Sequence, residues 1–237
     1  MRIWDIDTGF LNDQSLLGEH RELHGIFSII QNHKKGYSRH PETLRWRNCL
    51  KSLEVRHDLI VEEMHVRGFN HQSPVLAEPG APVWPKAFID PPQAQFSLLK
   101  TKYQDKKKGR IPLPKNIVDL WAFHKYSVMA RDPGLYRKLG PLVSKNRISF
   151  ERLCSDLVSI LRTPPKTERL INAVDHMWGY ISGFSALHHE ASDTNTLILE
   201  IQRQSLYHNI SYLIYSTALA ELKFWYSFSL KKGDGHE

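Results

Sequence analysis

The chain is short of cysteine, of long apolar runs and of strand signals, and each shortage removes a class of protein. Two cysteines, Cys49 and Cys154, among 237 residues exclude a disulfide framework and a zinc site made of thiolates alone. A reducing compartment is the expectation. No stretch approaches the roughly 20 consecutive apolar residues of a bilayer helix, and the opening MRIWDIDTGF carries two aspartates where a secretory signal is apolar. No membrane partner and a cytoplasmic location are therefore expected. Period-two alternation is scarce and no internal repeat is evident, whereas helical periodicity recurs along the chain. The expected fold class is all-α.

Residues 12–71 and 116–226 read as helical, and residues 72–115 hold eight of the thirteen prolines. Leu16, His20, Leu23, Phe27 and Ile30 are spaced by four, three, four and three residues, an amphipathic helix with Asn12 or Asp13 as its N-cap. A second stripe through Trp46, Leu50, Leu53, Ile60 and Met64 ends at Arg67-Gly68, a basic last turn followed by a capping glycine. The run SPVLAEPGAPVWPKAFIDPPQ excludes regular helix and central strand, because proline lacks the backbone donor both require. Trp84, Phe88 and Phe96 imply that this region wraps over a core. Two helical domains joined by a proline-rich, basic segment are expected, over residues 1–110 and 111–237.

The net charge of +7 is concentrated. Lys100, Lys102, Lys106, Lys107, Lys108, Arg110 and Lys115 face the single acid Asp105, a local excess of six. Such a run releases counterions from a phosphate backbone; the bland alternative is a solvated linker. Tyr103 lies among these lysines, where an aromatic suits an unstacked strand. Earlier in the chain, Gly18, Glu22 and Gly25 share one helical face. Glycine costs about 1 kcal/mol against alanine inside a helix, so either a tight helix contact or a ligand approaches Glu22.

MRI, LLGEHREL and VRHDLIVEEMHVRGFNHQ together resemble the pyrimidine dimer DNA glycosylase family of phage and bacteria over roughly residues 1–75. The matching positions are Arg2, Glu19-His20-Arg21-Glu22-Leu23 and Arg67-Gly68-Phe69-Asn70. The resemblance implies a glycosylase with abasic-site lyase activity on damaged double-stranded DNA, acting without a cofactor. Its nucleophile is an N-terminal α-amine, which the alignment places on Met1. Glu22 matches the catalytic glutamate, and Arg2 and Arg21 match phosphate-holding residues. An α-amine ionises near 7.7–8.0, so about a tenth to a fifth is unprotonated at pH 7, far more than for a lysine near 10.4.

Two departures accompany the likeness. Gly25 stands where a second basic residue belongs, and the family's aromatic tail is missing; Tyr103 with Lys100, Lys102, Lys106, Lys107, Lys108 and Arg110 is expected to supply those DNA contacts. The rival reading is a non-catalytic nucleic-acid-binding protein that keeps the fold.

DLWAFHKYSVMARDPGLYRKLG and LRTPPKTERLINAVDHMWGYIS resemble an uncharacterised bacterial helical domain that is also fused to thiouracil desulfidases. His124, Lys125, Tyr126 and Arg131 share a helix there and form either a phosphate-facing or an ordinary solvated face. Among the thirteen histidines, His20 and His24 lie four apart, but HRELH is not the zinc-protease order HExxH. His65 and His71 join them only if the helices bring them together. No metal is expected, and histidines lining a DNA groove are the simpler reading.

Overall fold

The computed structural model describes residues 1–233, with side chains through Leu230. Its described residues form helices and no strand, so the fold is all-α. They divide into two compact units, Met1–Gly109 and Arg110 onward.

The first unit opens with an extended segment and a 3-10 turn, Thr8–Phe10, and continues through α1 (Asp13–Gln31), α2 (Pro41–Trp46), α3 (Leu50–Val66) and α4 (Pro92–Lys102). Asn12 caps α1, its side chain accepting from the Ser15 amide at 2.9 Å. Leu16, Leu23, Ile26 and Phe27 of α1 are buried, and α1 packs on α3 through this face. The Trp46–Met64 stripe is not one helix. Trp46 closes α2, where its indole N–H donates to Glu42 at 3.0 Å, and Cys49 is non-helical before α3 begins. A four-residue spacing across that break imitates a continuous face.

Helix α3 ends as a Schellman motif. Gly68 sits at φ +79, the Phe69 amide donates to the Met64 carbonyl, and the Gly68 amide donates to the His65 carbonyl, both at 2.9 Å. The left-handed turn sends residues 69–73 back along the unit. The proline-rich chain then wraps: the Ala77 amide donates to Glu54 at 3.1 Å, and Trp84 meets Trp46 edge-on at 6.1 Å. Pro91-Pro92, which reads as a breaker, starts α4, because the first turn of a helix needs no donor from proline.

The second unit contains α5 (Ile117–Met129), α6 (Pro133–Ser144), α7 (Phe150–Leu161), α8 (Thr167–Trp178), α9 (Thr194–Tyr207), α10 (Ser211–Ile214) and α11 (Ala218–Gly233). At its centre Arg131 holds Glu221 through two nitrogens at 2.9 and 2.7 Å, and the Trp225 indole N–H adds a third donor at 3.2 Å. His124 and Tyr126 are buried, and His124 is tied to the Leu120 carbonyl at 2.7 Å. The surface face expected of His124, Tyr126 and Arg131 is therefore corrected to buried positions. Lys125 lies over the Tyr212 ring at 4.2 Å. Burial pushes the His124 imidazole down to about 4.

Candidate active site

Arg2, Trp4 and Asp5 are held by side chains from three helices, α1, α2 and α4. The Arg2 amide donates to Glu22 of α1, the Trp4 amide to Glu19 of α1 at 3.2 Å, and the Asp5 amide to Gln95 of α4 at 2.8 Å. Asp5 is further gripped by Arg45 through two bonds of 2.9 and 3.0 Å. Chain termini ordinarily fray unless tied down, and this segment is tied at three of its first five residues.

Glu19 and Glu22 divide the work of α1. Glu19 is buried and takes Arg56 side-on, Nε at 2.8 Å and Nη2 at 2.9 Å, while Arg56 Nη1 donates to the Ile6 carbonyl at 3.0 Å. It is a structural ion pair. Glu22 is half-buried, and one of its oxygens takes the Arg2 amide. That amide belongs to the peptide bond of Met1, so the Met1 α-amine lies within about 6 Å of the carboxylate by covalent geometry alone.

Open space surrounds the same face. A Cβ added at Gly18 or Gly25 meets nothing within 4 Å, so the tight helix contact that two interior glycines allow is not made there. Arg21 is exposed beside it, and Arg2 is half-exposed, paired with Asp90 at 2.5 Å and lying over Trp4 at 4.8 Å.

Lys100, Lys102, Lys106 and Lys108 are exposed, as is Lys107, whose amine pairs with Asp13 at 2.9 Å. This ion pair holds the Asp13 carboxyl below its ordinary range. The run is pinned at its end: the Lys107 carbonyl accepts from Asn12 at 3.0 Å, and a Cβ at Gly109 would lie 2.6 Å from the backbone of Gly9 and Phe10.

Two expected DNA contacts are corrected. Tyr103 is 3% exposed, its hydroxyl accepting from the Asn12 amide at 2.9 Å, and it cannot stack on a base. Arg110 belongs to the second unit and donates to the carbonyls of Ile214 and Ser216, so its guanidinium caps a helix.

The structure also gathers His20 and His24 of α1, His57 of α3 and His71, with one ring nitrogen from each lying within 4.8 Å of all the others. His57 was not among the histidines the spacing pointed to. His65 stands outside the four, beside Glu62 at 3.7 Å. Burial and the neighbouring imidazoles push His20 down to about 4, and burial also lowers His24 and His71.

Residues 1–76 match the family model described as pyrimidine dimer DNA glycosylase. Residues 125–211 match a second family, described as a protein of unknown function (DUF1722). No curated protein and no solved structure matches the chain. Among the described residues no helix is long and apolar enough to cross a membrane.

Proposed function

We propose that residues 1–110 form a glycosylase with abasic-site lyase activity on damaged double-stranded DNA, and that residues 111–237 form an accessory helical domain. A cytoplasmic, nucleoid-associated location goes with this reading. The neutral Met1 amine attacks C1′ of the damaged nucleoside, and the N-glycosidic bond breaks as the base departs. The attached amine then loses one proton, the C1′–O4′ bond opens as O4′ takes up a proton, and a protonated Schiff base that keeps the remaining N–H is left. Removal of a C2′ proton expels the 3′ phosphate by cleavage of the C3′–O bond, and water releases the enzyme.

Glu22 serves this sequence as acid and base. A carboxylate a few ångströms from the amine stabilises the cationic sugar and carries protons between the amine, the leaving base and C2′. Arg2, Arg21 and the exposed lysines Lys100, Lys102, Lys106, Lys107 and Lys108 hold phosphates. The observation that carries the reading is the Arg2 amide on Glu22, in a segment held at the amides of Arg2, Trp4 and Asp5. A carboxylate facing phosphates opposes binding unless the chemistry needs it.

Borohydride trapping on a duplex with one abasic site tests it. A covalent adduct is expected from protein whose terminus is Met1, none when an uncleaved extension turns that amine into an amide, and an undiminished adduct when the extension follows Glu237. No adduct from the free terminus leaves a non-catalytic DNA-binding protein.

A further inference from the structure

We propose that His20, His24, His57 and His71 form a closed, four-imidazole zinc site that staples α1 to α3 and to the chain returning behind α3. The inference is independent of the glycosylase chemistry and replaces the expectation of a metal-free chain.

The geometry is that of ligands. Four nitrogens at about 2.0–2.1 Å from a tetrahedral ion stand about 3.3–3.4 Å apart. His20 Nε2 and His24 Nε2 are 3.3 Å apart, and the other ring nitrogens are within 4.8 Å. The ring centroids of His57 lie 5.1 Å from His20, 5.1 Å from His24 and 5.0 Å from His71.

A second, independent feature is the state of His57. The residue is 1% exposed, and its Nε2 is buried with no hydrogen-bond partner. An orphaned buried polar atom costs about 1–3 kcal/mol, which an ion bound there removes. Its other nitrogen, Nδ1, lies 2.8 Å from the Asp58 carboxylate. That contact fixes the tautomer with its lone pair on Nε2, the arrangement in which a carboxylate orients a metal-binding imidazole.

The donor set selects the ion. Four neutral imidazoles with no oxygen among them disfavour magnesium and calcium and suit zinc, whose tetrahedral sites accept nitrogen donors. With all four positions filled by protein the site is structural, without an open position for water or substrate. On α1, His20 and His24 lie about 160° and 200° around the helix from Glu22, at roughly 100° per residue. The ion would hold the helix from behind and leave the Glu22 face open.

The test uses the full chain purified with no polyhistidine tag. Elemental analysis is expected to give about one zinc per chain, and cobalt exchanged into the site should show the intense visible bands of tetrahedral coordination. Asp58→Asn should weaken zinc affinity by about 10–100-fold in a chelator competition while the far-ultraviolet spectrum stays unchanged. His71→Ala, on a half-buried segment, should lose the tetrahedral cobalt spectrum. A folded chain that takes up no zinc from excess, or one that binds it equally well after both His57→Ala and His71→Ala, would overturn the proposal.

Discussion

In the first unit Arg56 grips Glu19 at 2.8 and 2.9 Å, and in the second Arg131 grips Glu221 at 2.9 and 2.7 Å. Both pairs are buried, and both arginines give a further nitrogen to a backbone carbonyl, Ile6 in one case and Thr163 in the other. Around them the units differ. In the second, Trp225 donates to the pair's carboxylate and lies under its guanidinium, and His124 is buried near it. The first leaves a half-buried carboxylate at Glu22, two bare helix glycines and an orphaned imidazole nitrogen at His57, none of which packing explains. Polar groups that a fold does not use for itself are where its chemistry is to be sought.

The largest expected effect is common to both units. Arg56→Ala or Arg131→Ala strands a buried carboxylate, and each should lower unfolding free energy by about 3–5 kcal/mol in urea titration. A loss below about 1 kcal/mol for either would break the parallel between the pairs.

The contrast between Glu19 and Glu22 comes next. Glu22→Gln should lower nicking by about a hundredfold or more, as losing a general acid and base does, with duplex binding intact or tighter and stability nearly unchanged. Glu19→Gln should do the reverse, destabilising the fold through Arg56. Equal nicking by parent and Glu22→Gln would remove Glu22 from the mechanism.

A smaller effect belongs to the basic run. Changing Lys106, Lys107 and Lys108 together to alanine should weaken damaged and undamaged duplex about equally and flatten the salt dependence by about two to three units. An unchanged slope would mean that the run never meets DNA.

The smallest is the most discriminating for the open face. With nothing within 4 Å of either added Cβ, Gly18→Ala and Gly25→Ala should each stabilise the chain by up to about 1 kcal/mol. If DNA seats on that face, the same changes reduce nicking; a stabilised variant with parental activity would show that substrate lies elsewhere.

How much the sequence disclosed follows from the range of each interaction. Asn12 as a cap and Arg67-Gly68 as a helix end are local chemistry, and both were legible. Tyr103 looked like a stacking residue because lysines surround it in the chain. The spacing of Phe96, Leu99 and Tyr103, three and then four, already marked the buried face of a helix that the prolines concealed. Glu19 and Glu22 are the same letter three apart; the flanking Gly18 and Gly25 and the resemblance pointed to the second, and only the fold shows Arg56 on the first. His57 belongs to no spacing shared with His20, and its place among four histidines depends on three segments meeting.

The central claim is that the first amine of the chain, held beside Glu22, forms the bond to DNA. The direct measurement is to trap the imine with borohydride, digest the complex and locate the sugar remnant by peptide mass spectrometry. The account predicts the remnant on the α-nitrogen of Met1, in the peptide ending at Arg2. A remnant on a lysine side chain such as Lys100 or Lys102, with the Met1 peptide unmodified, would contradict it.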